Sequence, residues 1–195
     1  MKKIEFCLAS NNAHKIKELQ AMLGDDFVIK TMQNIGCHDD IEEYGTNLEQ
    51  NSKIKADYIH DKYQINVIAD DSGLEIEALE NRPGVYSARY AGEPTNHKAN
   101  IAKVLTEMEG KTNRNAKFRT VITMILDNKT SFFEGDVSGK ITSKCQGEEG
   151  FGYDPIFMPD GFGITFAEMS SIQKNQLSHR ANAIKKLIES LKTKK

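Results

Sequence analysis

The chain has three cysteines in 195 residues, and Cys7, Cys37 and Cys145 are odd in number, far apart and in no CxxC arrangement. That pattern excludes a disulfide framework and a cysteine-rich zinc site, and it predicts reduced thiols. No apolar run approaches the roughly 20 residues of a membrane span. The opening Met1-Lys2-Lys3-Ile4-Glu5-Phe6 lacks the long apolar region and cleavage site of a signal peptide, so a cytoplasmic protein with no membrane partner is expected. Positive charge is not in excess either: 26 Lys and Arg face 28 Asp and Glu, a formal net charge of −2. General nucleic-acid binding needs a basic surface, so no nucleic-acid partner is expected.

Familiar catalytic signatures are missing as well. Gly135-Asp136-Val137-Ser138-Gly139-Lys140 has three residues between its glycines where a Walker loop has four, and Ile141 follows the lysine. The pairs Gly150/Gly152 and Gly161/Gly163 are followed by Pro155 and Phe166 where a dinucleotide fingerprint needs glycine or alanine. There is no HExxH and no GxSxG. His14, His38, His60, His97 and His179 show no metal-ligand spacing, and there are no repeats, linkers or low-complexity tracts.

What is present is a soluble-type composition, 38% hydrophobic and 28% charged, over one domain of residues 1–195. Ile4 to Ala9 reads as a strand, broken by the helix-capping residues Ser10-Asn11-Asn12. Ile16, Leu19 and Leu23 then make an apolar helical stripe that ends at Gly24. Phe27 to Met32 reads as a second strand and the acidic stretch Gln33 to Tyr44 as a loop. Thr46-Asn47-Leu48-Glu49 has the spacing of a capping box, opening a helix to about Tyr63 whose inner face is Leu48, Ser52, Ala56, Ile59 and Tyr63. Lys53 and Lys55 fall on other faces. Asn81-Arg82-Pro83-Gly84 is a turn signal. A helix follows from about Thr95 to Glu109, then a hairpin from Phe118 through Asp127-Asn128-Lys129 that extends as far as Ile141. A last helix starts near Ser178. Strands interleaved with helices, plus a hairpin, predict an α/β fold with a mixed sheet.

Chemistry is distributed along this frame. Asn12 and Lys15 lie at a helix start, where amides can face a phosphate. Val67 to Ala69 reads as a buried strand ending in Asp70-Asp71, with Ser72-Gly73 as the turn and a second strand leaving along Leu74 to Leu79. The acid pair suits a divalent cation, although taken by itself it reads first as an Asx turn. Glu43 precedes a helix that carries Lys55. Phe151 and Asp154 lie in a glycine-punctuated aromatic loop able to present a ring to a planar ligand. Lys174, Ser178, His179 and Arg180 are placed at the last helix start. Cations for phosphates, acids for a metal, a ring for a base and donors for base edges form a nucleoside-triphosphate inventory.

In its motifs the chain resembles the inosine/xanthosine triphosphate pyrophosphatase family. The matching stretches are Ser10 to Lys15, Glu43 to Thr46, Lys55-Ala56, Ala69 to Leu74, Pro83 to Gly92, Phe151 to Pro155 and Ser178 to Arg180, in family order over nearly the whole chain. The resemblance implies an elongated two-lobed α/β fold with an active-site cleft between the lobes, a homodimer, and Mg2+ as cofactor. It implies hydrolysis of ITP, dITP and XTP to monophosphate and pyrophosphate. By the same resemblance Glu43 and Asp70 bind the metal and Asp71 handles the attacking water. Ser10, Asn12, Lys15 and Lys55 hold phosphates, while Phe151, Tyr153, Asp154, Lys174, Ser178, His179 and Arg180 form the base pocket. Three positions depart from the family pattern: Gln50 and Ser52 stand where glutamate and alanine are usual, and Ser10 where threonine is.

Overall fold

Strand β1 (Ile4–Leu8) leads through helix α1 (Ala13–Leu23) to β2 (Phe27–Thr31), which lies parallel to β1 with Ile4 opposite Phe27. Parallel neighbours need a crossover, and α1 supplies it. The computed structural model describes residues 3–23 and 27–192. The helix stop expected at Gly24 lies outside the described residues. The elements that follow are α2 (Leu48–Tyr63), β3 (Val67–Ile76), β4 (Arg82–Pro83), α3 (His97–Glu107), β5 (Asn115–Leu126), β6 (Lys129–Ile141), β7 (Phe157–Pro159), α4 (Ser171–Leu177) and α5 (His179–Lys192). Together the strands make a mixed seven-stranded sheet in the order β2-β1-β3-β5-β6-β7, with β4 paired to β3. The α/β class expected from the sequence is the one observed. No described helix is long and apolar enough to cross a membrane.

The chain divides into two compact units. The first holds the chain up to Asp71, Thr120–Gly135 and the chain from Ala181 onward; the second holds Ser72–Arg119 and Asp136–Arg180. Two apolar clusters fill the first unit. Phe6, Leu8 and Ile68 pack with Leu19 and Leu23 of α1 and with Ala183, Ile184 and Leu187 of α5. Cys7, Ala9, Val67 and Ala69 pack with Ala56 and Ile59 of α2. Alternation along the strands thus assigns α1 and α5 to one face and α2 to the other. In the second unit, Leu74 and Ile76 pack with Ile101, Val104, Phe118, Phe157 and Phe166.

Three local expectations are corrected. Ser72-Gly73 is not a turn: β3 runs unbroken for ten residues, and Glu77–Leu79 form a 3-10 turn after it. Gly73 is there for close approach, since a methyl group on it would sit 2.5 Å from the Gly84 carbonyl oxygen. The cap of α2 is Asn47, whose side chain accepts from Gln50 N, rather than Thr46. Asn caps at least as well as Thr, and Gln50 Oε1 accepts from Thr46 N at 2.8 Å, one residue before the cap, so the expected reciprocal box does not form. Finally, α4 precedes the last helix as a separate seven-residue helix, capped by Ser170 with Gln173. The β5–β6 hairpin agrees with its sequence signal, because Asp127 and Asn128 both take positive φ (49° and 62°), as a tight two-residue turn requires.

Candidate active site

In the first unit the sequence-predicted residues form two charge groups. At the start of α1, Asn12 Oδ1 accepts from the amides of His14 (3.0 Å) and Lys15 (3.2 Å), and Ser10 Oγ accepts from Asn12 N. Lys15 rises from that turn to Asp70, with Nζ 2.9 Å from Oδ2. Lys55, on α2, lies 2.9 Å from Glu43 Oε1 and 3.9 Å from Asp71 Oδ1. The structure therefore joins Asp70 to Lys15, and Glu43 to Asp71 through Lys55. Neighbouring strand residues face opposite ways, so Asp70 addresses the α1 side and Asp71 the α2 side.

Burial sets the electrostatics here. Lys55 is almost fully enclosed, which corrects the expectation that it lies off the inner face of α2; Asn51 and Lys55 extend that face by one stripe. Burial by itself lowers its proton affinity, but Asp71, Glu43 and Asp70 more than offset this and hold the ammonium above its ordinary value. The Asp71 carboxyl is pushed up by burial, with the Glu43 charge adding to the rise, against the pull of Lys55 and Lys15 and the Asn51 hydrogen bond. Asn51 Nδ2 donates to Asp71 Oδ2 at 3.2 Å. The exposed Gln50, one of the departures from the family pattern, turns toward Thr46 and not toward these carboxylates.

In the second unit a buried carboxylate organises the aromatic loop. Asp154 Oδ2 accepts from Lys174 Nζ at 2.7 Å and from Phe151 N at 2.8 Å. The loop bends back tightly enough that a methyl on Gly150, at φ 78°, would strike Asp154 Oδ2. Lys174 Nζ lies 4.8 Å from the Phe151 ring centre and the Arg180 guanidinium 5.8 Å, both within cation–π range. His179 stacks on Phe118 with centroids 4.7 Å apart and an interplanar angle of 10°. Arg180 also donates to Ser72 Oγ at 3.1 Å.

Lys174 belongs to α4, not to the start of the last helix as expected. The seven-residue α4 shows too little apolar periodicity to register, although its Ser170-x-x-Gln173 cap is visible in the sequence. Ser178 is the buried residue between the two helices. Tyr153 is in the apolar core of this unit, its hydroxyl donating to the Ser87 carbonyl at 2.8 Å. Sequence reasoning missed Asn51, Ser72 and Phe118. The spacing of Asn51 and Lys55, one helical turn apart, was the available signal for the first.

Buried ionisable side chains gathered on β3, on α2 and around the aromatic loop of an α/β chain have the character of an enzyme's functional site, where such costly charge clusters. The chain belongs to the Ham1 family, whose model matches residues 6–190. It is 47% identical over 189 residues to a dITP/XTP pyrophosphatase of Flavobacterium psychrophilum, covering 97% of this chain and 100% of that one. The dITP/XTP pyrophosphatase of Bacillus subtilis is 45% identical over 187 residues, 94% of each chain. The solved Ham1 protein of Staphylococcus aureus superposes with a TM-score of 0.90 at 42% identity, covering 98% of this chain and 100% of that one.

Proposed function

We propose that this chain hydrolyses the non-canonical purine nucleoside triphosphates dITP, ITP and XTP to the monophosphate and pyrophosphate, removing them from the precursor pool. The first unit offers phosphates its lysines and helix start, and the second offers a base its aromatic loop. The reading includes a homodimer working in the cytoplasm.

The charge count of the first unit carries the proposal. Lys15 pairs with Asp70, Lys55 with Glu43 and Asp71, and the two groups also act on each other at longer range, so together they carry one negative charge in excess when all are ionised. A triphosphate cannot be added to that set without further positive charge. Mg2+ fits, because it takes hard oxygen donors, uses one or two carboxylates, and completes its shell with water and substrate phosphates. Among the described residues no three His, Cys, Asp or Glu side chains are gathered so as to hold a metal ion by themselves. Glu43 and Asp70 would hold it. When bound, it would supply charge neutralisation on the phosphates and polarisation of a nearby water.

The chain's own residues do the remaining work. Amides at the start of α1 offer donors to a phosphate, and Lys15 and Lys55 exchange carboxylate contacts for phosphate contacts. Asp71 orients the attacking water and takes its proton. Phe151 stacks on the base. Lys174, Arg180 and His179 present hydrogen-bond donors to an oxo-bearing edge.

The test is to incubate dITP, ITP, XTP, ATP and GTP separately with the protein and Mg2+ and to identify both products. Monophosphate and pyrophosphate in equal amounts are expected. Nucleoside diphosphate with orthophosphate would refute the bond choice, and intact triphosphate after hours would point to a non-catalytic nucleotide-binding regulator.

A further inference from the structure

Asn51 is buried on α2, and both ends of its amide are engaged. Nδ2 donates to Asp71 Oδ2 at 3.2 Å, and Oδ1 accepts from the Gly45 backbone amide at 2.8 Å. Asp71 belongs to β3, while Gly45 lies in the strap that carries Glu43 into α2. One helical turn on, Lys55 makes the same connection with charge, reaching Glu43 at 2.9 Å and Asp71 at 3.9 Å. There is little slack in the strap, since a Cβ on Gly45 would lie 2.5 Å from Asn51 Oδ1 and 2.7 Å from Gln50 Cβ. Only an amide serves both directions here. Aspartate would set an acceptor against the acceptor oxygens of Asp71, and leucine would withdraw donor and acceptor together.

We infer that Asn51 is a positioning residue: its amide orients the Asp71 carboxylate and fixes the Glu43-bearing strap against it, touching neither substrate nor reacting atoms. This rests on the role given to Asp71 in the proposed function. Substrate affinity is supplied by other groups, so loss of Asn51 acts on the chemical step. The two halves of its amide are also separable. Asn51→Asp keeps the acceptor for Gly45 and reverses the contact to Asp71, whereas Asn51→Leu removes both.

The experiment measures dITP hydrolysis by wild type, Asn51→Asp, Asn51→Leu and Gly45→Ala, together with melting temperature and the exchange rate of the residue 45 amide by NMR. All three variants should lose about ten- to a hundredfold in kcat with KM held within about threefold, the signature of misplaced chemistry. The Gly45 amide should exchange faster in Asn51→Leu and stay protected in Asn51→Asp. Wild-type kcat in a folded Asn51→Asp protein would overturn the inference, as would a loss confined to KM. Should the Asn51 variants fail to fold, Gly45→Ala decides alone, and wild-type kcat there counts against the inference. Absence of pyrophosphate release by the wild type would instead overturn the proposed function, and the inference with it.

Discussion

Lys174 and Asp154 form an ion pair at 2.7 Å with both side chains more than nine-tenths buried. Breaking one partner of such a pair leaves an uncompensated charge in the interior and costs about 3–5 kcal/mol. Asp154→Ala and Lys174→Met should each lose stability on that scale in urea titrations. The double variant Asp154→Ala/Lys174→Met should lose less than the sum of the two, because no lone charge remains. Strict additivity would show that the two groups do not act as a pair.

Asp71→Asn should lower kcat for dITP by about a hundredfold or more, the usual contribution of a positioned base. Its effect on stability should go the other way. Burial raises the Asp71 carboxyl, so the native state favours its protonated form. That contribution is fully present below the ordinary carboxylate pKa and is lost as pH rises through the raised one. At neutral pH, in chelator-treated protein, the neutral asparagine should therefore melt no lower than wild type. A lower melting temperature with unchanged kcat would make Asp71 a structural residue.

The base pocket should reject a 6-amino purine. Lys174 and Arg180 can only donate, so adenine would meet donors with a donor, and each unpaired buried polar group costs about 1–3 kcal/mol. Two such faults predict that kcat/KM for ITP and XTP exceeds that for ATP by about a thousandfold. Guanine keeps the 6-oxo acceptor, and its poor turnover is expected from the family resemblance alone. Steady-state kinetics on all four in one magnesium buffer give the answer, and equal turnover of ATP and ITP would refute the donor pocket.

The thiols should react unequally. Cys7 is buried and its thiol is pushed up to about 12 by burial and by the neighbouring Cys37, while Cys145 is exposed. Only the thiolate is a nucleophile. A thiol reagent at neutral pH should modify one cysteine in the native protein, identified by peptide mapping as Cys145, and all three after denaturation. Rapid labelling of Cys7 in native protein would contradict its placement in the core.

Much of this organisation can be read from the residues, for reasons that also explain the misses. The hairpin was legible because Asp127-Asn128 is a local demand for positive φ between two β-prone runs. Helix α2 was legible from its apolar stripe, but that stripe leaves Lys55 off the inner face because periodicity ranks a lysine by its polarity. What offsets the cost of burying its charge is three carboxylates from outside the helix, two of them on β3 and one on the strap, a tertiary fact with no local trace. Ser72-Gly73 resembled a turn for a similar reason. A glycine that admits a neighbouring backbone and a glycine that bends its own chain look the same in one dimension. The base-pocket residues near Ser178 were placed together by motif, yet the helix break between Lys174 and His179 could be seen only in the folded chain.

The unbroken course of β3 also bears on how this site could be transplanted. Asp70 and Asp71 are consecutive, yet one is keyed to α1 through Lys15 and the other to α2 through Lys55 and Asn51. A single strand thus serves as the common datum for two helices on opposite faces of the sheet. A graft of the carboxylates alone into another scaffold would carry half a lock. The setting of the two acids involves α1, α2 and β3 together, and a one-residue insertion upstream of Asp70 within β3 would hand each acid to the wrong helix.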